Sequence, residues 1–159
     1  MRRILVGVCA VIVCFAASVN GTDKTWDNNE GNGDGNWSTG TNWNPEGVPG
    51  SSDNAIFDGT STDPCTVDSA ATVASLSINS GYTDTITMSA NLTITGAFTL
   101  GDGTLSAGSY TLDIGGDADF SAGGTFTCGT STLELTGANS TFTAGGKTFY
   151  NIEIMYSPP

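Results

Sequence analysis

The sequence has no histidine, and only four of its 159 residues are basic. Without imidazole, neither a histidine base nor a histidine-ligated metal is available. Arg2 and Arg3 stand at the start, Lys24 and Lys147 follow, and all 16 acidic residues lie after Gly21. Beyond Gly21, two lysines therefore face 16 carboxylates, a net charge of −14. Such a chain has no basic footprint for nucleic acid, and an acidic membrane surface repels it. Helix-forming pattern is missing too. Threonine (24), serine (16) and glycine (22) fill the space that charged residues leave, and β-branched residues and glycine both disfavour helix. The length suits one modest domain.

One long apolar run is present, at the N terminus. Arg2 and Arg3 precede Ile4 to Ala17, and the small residues Ala16, Ala17 and Ser18 follow. This is the order of a secretory signal peptide. The run is about 14 residues, short of the roughly 20 that span a bilayer. Cutting after Ser18 or after Gly21 fits, so residues 1–21 are assigned to the signal. Val13 before Cys14 argues against a lipoprotein. The expected location is extracellular or at the cell surface, with no membrane insertion once the signal is removed.

The rest alternates with period two, as in Ser75-Leu76-Ser77-Ile78, Thr85-Ile86-Thr87-Met88 and Thr132-Leu133-Glu134-Leu135. Apolar doublets recur at Leu76/Ile78, Leu92/Ile94, Leu112/Ile114, Leu133/Leu135 and Ile152/Ile154, with spacings of 16, 20, 21 and 19. Glycine-rich breaks separate them, at Gly101-Asp102-Gly103, Gly115-Gly116, Gly123-Gly124 and Gly145-Gly146. A unit of this size with two or three short strands is one coil of a parallel β-solenoid, and stacked coils bury what one coil cannot. The expected fold is all-β: a single-stranded parallel β-helix, right-handed, of about five coils over residues 61–159. Leu76, Leu92, Leu112, Leu133 and Ile152 are expected in one internal ladder. The alternative is an antiparallel β-sandwich, which the Asp58-Gly59 and Asp102-Gly103 turn signals keep open. Cys65 and Cys128 lie about three coils apart, roughly 14 Å at the usual strand separation. That exceeds the reach of a disulfide, so two unpaired, largely buried thiols are expected.

Residues 22–60 differ, being rich in Asn, Gly and Asp and holding Trp26, Trp37 and Trp43. Large aromatics over the open end of a solenoid would hide its unpaired edge, so this stretch reads as an N-terminal cap. The other reading is a carbohydrate-binding platform, with sugars stacked on Trp26, Trp37 or Trp43. The order Trp26-Asp27, Gly33-Asp34-Gly35-Asn36-Trp37-Ser38, Asn42-Trp43, Gly47-Val48-Pro49 and Asp53-x-Ala55-x-Phe57 looks like the opening module of secreted β-solenoid repeat proteins. Autotransporter-type passenger segments and adhesin-like surface proteins are among these. Gly146 to Ile154 is similar to the start of a further repeat in them. The resemblance implies a non-enzymatic extracellular rod for display or adhesion, and it transfers no catalytic residue. The chain stops at Ser157-Pro158-Pro159, just after a strand, so the expectation is a segment of a larger protein.

Candidate chemistry is sparse. Asp27, Asn29 and Asp34 sit in an oxygen-rich, glycine-rich stretch that resembles one imperfect calcium-binding β-roll nonapeptide, and calcium is the one candidate cofactor. Asp113, Asp117 and Asp119 are close in sequence and open a second alternative, the remnant of a polysaccharide-degrading enzyme. Thr-x-Thr pairs at Thr85/Thr87, Thr93/Thr95, Thr125/Thr127, Thr130/Thr132 and Thr141/Thr143 raise ice binding. Beside the aligned doublets, Asp113 and Glu134 interrupt that ladder and argue against it. Asn36, Asn91 and Asn139 match the glycosylation acceptor pattern. The expected partners are surface glycans or other surface components, and a further copy joined end to end along the free edge of Asn151 to Met155.

Overall fold

The computed structural model describes residues 21–155, so the apolar N-terminal run and the final prolines lie outside the described residues. Strands β1 (Asp23–Trp26) and β2 (Trp43–Asn44) belong to the cap. The first full coil holds β3 (Asn54–Phe57), β4 (Cys65–Val67) and β5 (Ala71–Val73). The second holds β6 (Ser75–Ile78), β7 (Thr85–Met88) and β8 (Leu92–Ile94). Next come β9 (Phe98–Leu100), β10 (Thr104–Ser106) and β11 (Thr111–Ile114). The fourth coil has β12 (Ala118–Asp119), β13 (Thr125–Thr127) and β14 (Thr132–Leu135), and the last described one β15 (Phe142–Thr143) and β16 (Asn151–Ile154).

Three sheets run the length of this β-solenoid of about five turns. Their orders are β15-β12-β9-β6-β3-β1-β2, β13-β10-β7-β4 and β16-β14-β11-β8-β5. Every strand pair among them is parallel except β1 with β2, which removes the antiparallel sandwich. Each coil carries the chain once across all three sheets. Ala55, Leu76, Phe98, Ala118 and Phe142 stack in the first sheet, at spacings of 21, 22, 20 and 24 residues. Cys65, Ile86, Leu105 and Phe126 stack in the second. Ala71, Leu92, Leu112, Leu133 and Ile152 stack in the third.

The expected ladder needs one correction. Leu92, Leu112, Leu133 and Ile152 share a column, but Leu76 belongs to the first sheet, between Ala55 and Phe98. Its short spacing of 16 was the misfit, and the third-sheet column opens instead at Ala71, 21 residues before Leu92. The first full coil also opens at Asn54, inside the stretch 22–60 read as the cap.

Inward positions are almost uniformly apolar and buried, and they form one continuous core from Trp26 to Leu135. Phe57 joins the cap to the coils. Its ring lies 5.6 Å from Trp26, 5.5 Å from Trp43, 5.9 Å from Trp37 and 5.1 Å from Tyr82. At the other end Phe120 is the hub, within 4.8 Å of Phe98, 5.2 Å of Phe126 and 5.1 Å of Phe149. Cys65 is buried and Cys128 is half-buried, and both are free thiols. Cys128 is thus wetter than expected because it follows β13 into a corner. Burial, with Asp68 nearby, pushes the Cys65 thiol well up, so it stays protonated and unreactive.

Removing the Phe57 ring should open a cavity beneath three indoles. Phe57→Ala is expected to lose about 3–5 kcal/mol in urea unfolding, with tryptophan emission shifted to the red. A loss under about 1 kcal/mol would show that the cap does not lean on this ring.

Candidate functional site

The cap is built on hydrogen bonds that the short polar residues of 22–60 supply. Asp34 is its knot. Its carboxylate accepts from the backbone N–H of Asn36 at 3.0 Å, from the Asn42 amide at 2.8 Å, from the Thr39 hydroxyl at 2.9 Å and from the Asn36 amide at 3.1 Å. Those bonds, the Asn36 N–H foremost, pull its pKa down to about 2. Asp68 ties the cap to the first coil by accepting from Ser38 N–H at 2.9 Å and Ser38 Oγ at 2.5 Å. Burial opposes ionisation of Asp68, and the Ser38 bonds outweigh it and hold the pKa low. Gly33 admits no side chain, because a Cβ there would overlap Asn42 Oδ1 and Asn28 Oδ1.

All three tryptophans are fully buried. Trp26 and Trp43 meet edge to face at 5.2 Å, and Trp37 and Trp43 at 4.7 Å. Trp26 Nε1 and Tyr82 Oη both donate to the Asp63 carbonyl, each at 3.1 Å, and Trp43 Nε1 donates to the Trp37 carbonyl at 2.9 Å. A sugar therefore finds no indole face to stack on at Trp26, Trp37 or Trp43. The rings are core because the cap has to close a solenoid interior, which demands apolar area from a segment with few apolar residues.

Beside the tryptophans the cap forms a groove. Asp27, Glu30, Gly31, Asn44 and the strand-linking residues 60–63 line a cavity of about 420 Å³. An adjoining cavity of about 220 Å³ adds Asn29, Thr41, Trp43 and Glu46. The walls offer carboxylate, amide and hydroxyl oxygens and no cation. Of the calcium candidates, Asp27 and Asn29 line this groove and Asp34 does not; Asp34 is exposed elsewhere on the cap, with its oxygens engaged by Asn36, Thr39 and Asn42. Asp27 Oδ1 accepts from Asn29 N–H at 3.0 Å. Among the described residues, no three acidic or cysteine side chains come together as a metal-binding group.

Glu30, Glu46 and Asp63 are groove residues that sequence reasoning missed. Glu30 is placed by a turn of left-handed backbone, with φ of 48° at Asn28, 52° at Asn29, 53° at Glu30 and 82° at Gly31. Asparagine and glycine accept that conformation, but glutamate is strained in it. The signal was Asn-Asn before Glu-Gly, since Asn tolerates the left-handed region.

The three aspartates read as a possible catalytic cluster do not all share one face. Asp113 lies on the third sheet and its Oδ1 accepts from Thr136 Oγ1 at 2.7 Å. Asp119 lies on the first sheet and accepts from Ser121 N–H at 2.8 Å, and Asp117, at the corner between them, accepts from Thr141 N–H at 2.7 Å. Asp113 thus stands on a different sheet, whereas Asp117 and Asp119 flank the buried Ala118 and are each engaged by a neighbouring backbone N–H. Of the glycosylation motifs, Asn91 and Asn139 are exposed, whereas the Asn36 amide is bonded to Asp34. Comparison with protein-family models, with curated proteins and with solved structures finds no match.

Glu30→Gly should relieve the left-handed strain and raise stability by roughly 1–2 kcal/mol, read as a higher urea midpoint; a lower midpoint would mean that the Glu30 side chain holds the turn. Asp34 gives a pH signature. Its folded pKa lies below the ordinary aspartate value near 4, so its contribution is present above that value and is lost as pH falls towards about 2. Tryptophan emission should redden across this window, and Asp34→Ala should shift red already at neutral pH and respond less to acid. An unchanged acid profile in that variant would remove Asp34 from its place as the knot.

Proposed function

We propose that this chain is an exported, non-enzymatic, adhesin-like structural segment of a cell surface. The carrying observation is a parallel β-solenoid of about five turns whose interior is closed at the cap, where β2 runs antiparallel against β1 and three indoles are buried.

The N-terminal pattern of Arg2, Arg3 and an apolar run supports export, and the solenoid itself suits display away from a surface.

The chain is to be expressed with its own N terminus in a bacterial host, and the protein outside the cytoplasm examined by mass. A start at Val19 or Thr22 is expected. Retention of Met1 in the cytoplasm would overturn the export reading.

A further inference from the structure

The three outer faces of the solenoid share a backbone but not a chemistry. On the third sheet, Asp113 pairs with Glu134 and Glu134 with Glu153, so one outward column is a row of carboxylates. On the first sheet, Ile56, Ser77, Thr99 and Asp119 succeed one another. The second sheet is different. Its outward residues form two columns: Thr85, Thr104 and Thr125, and beside them Thr66, Thr87, Ser106 and Thr127. The strand pairing is one to one throughout, and neither column contains a charge.

These seven hydroxyls are also unoccupied by neighbours. On the other faces some outward polar groups bond to one another. Ser75 donates to Asn54, the Asn54 amide to Asp23, Thr136 to Asp113 and the Asn151 amide to Thr132. No side-chain bond of that kind ties the hydroxyls of the second sheet to other described residues.

We infer that the outer face of the second sheet binds ice. In-register stacking fixes the spacing along each column at about 4.8 Å, and two residues of parallel strand separate the columns by about 6.6 Å. The oxygen rows on a prism face of ordinary ice repeat at a spacing close to the first of these in one direction and somewhat wider than the second in the other. Threonine is stiff at χ1, so its hydroxyl and methyl are held in place before contact and little freedom is lost on binding. Water bridging such an array is ordered on the lattice that the ice surface continues. A charged column would hold a radial hydration shell instead, which is why the carboxylate row of the third sheet is unsuitable. The sequence-level objection, that Asp113 and Glu134 interrupt the ladder, applies to the third sheet alone. Thr85/Thr87 and Thr125/Thr127 lie on another face, joined by Thr104/Ser106. The inference does not depend on export.

The test is adsorption to growing ice by the purified full chain, with inhibition of ice recrystallisation as a second readout. The chain should partition into ice, whereas an unrelated acidic protein of the same size is excluded. Thr104→Tyr places a bulky ring mid-column and should lower the ice-bound fraction about tenfold, the effect of losing one or two anchoring contacts; Thr87→Tyr should do the same. Thr93→Tyr, outward on the third sheet between Thr72 and Asp113, should change nothing. Circular dichroism and the unfolding midpoint establish that all three variants fold. Exclusion of the parent chain from ice would overturn the inference, and so would equal losses in Thr93→Tyr and Thr104→Tyr. Retention on insoluble chitin or cellulose without adsorption to ice would also overturn it and assign the face to a polysaccharide.

Discussion

One-to-one parallel pairing is the constraint from which the rest of this molecule follows. Once β6 sits on β3 in register, every residue of a strand faces its counterpart one coil away, at about 4.8 Å. Inward columns must then be apolar along their whole length, because one polar member would be buried with no partner. Extra residues can enter only at corners, which is where coil length varies. Even corners are coupled. Gly108 and Gly129 both hold left-handed φ, 60° and 55°, and a Cβ on Gly129 would overlap the Gly108 carbonyl beneath it. A turn chosen in one coil therefore limits the turn in the next.

A parallel stack cannot terminate itself, since each coil leaves the edge that would receive another. The cap solves this with a strand of opposite direction, followed at once by Pro45, which has no N–H to offer. The solution carries costs. Trp37 Nε1 and Asn42 Oδ1 are buried without a hydrogen-bond partner, each worth about 1–3 kcal/mol. Glu30 sits in strained backbone. Four aromatic rings packed around Phe57 offset these terms, since each fully buried ring contributes roughly 1.5–3 kcal/mol.

The coil architecture was legible in the sequence because a doublet such as Leu112/Ile114 recurs with the coil length. The face on which a doublet lies was not. Leu76/Ile78 and Leu92/Ile94 look alike, since all three sheets use the same alternation, and only the spacing separates them. The 21-residue step from Ala71 to Leu92 identifies the true column, but alanine is too small to announce itself as an anchor. The same ambiguity hid the threonine columns, which emerge only once Thr85 and Thr125 are joined through Thr104. In the cap, the clustering of tryptophan among turn residues was visible. That their faces would point inward was settled by packing, which composition does not encode. The knot at Asp34 was likewise out of reach, because its partners Thr39 and Asn42 become neighbours only after the chain turns back.

The distribution of charge on the rod is itself informative. In-register pairing sets Glu134 one strand separation from both Asp113 and Glu153, on a chain whose net charge beyond Gly21 is already −14. Like charges directly opposite are destabilising, so this column opposes folding. Spreading the strand carboxylates over three sheets would lessen that cost. They stand instead on the first sheet, at Asp23 and Asp119, and on the third, at Asp113, Glu134 and Glu153, and the outward positions of the second sheet have none. Strand propensity does not account for the difference, because outward threonines occur on all three sheets. Neither folding nor solubility asks for that difference, and it is what the proposed contact with ice would require.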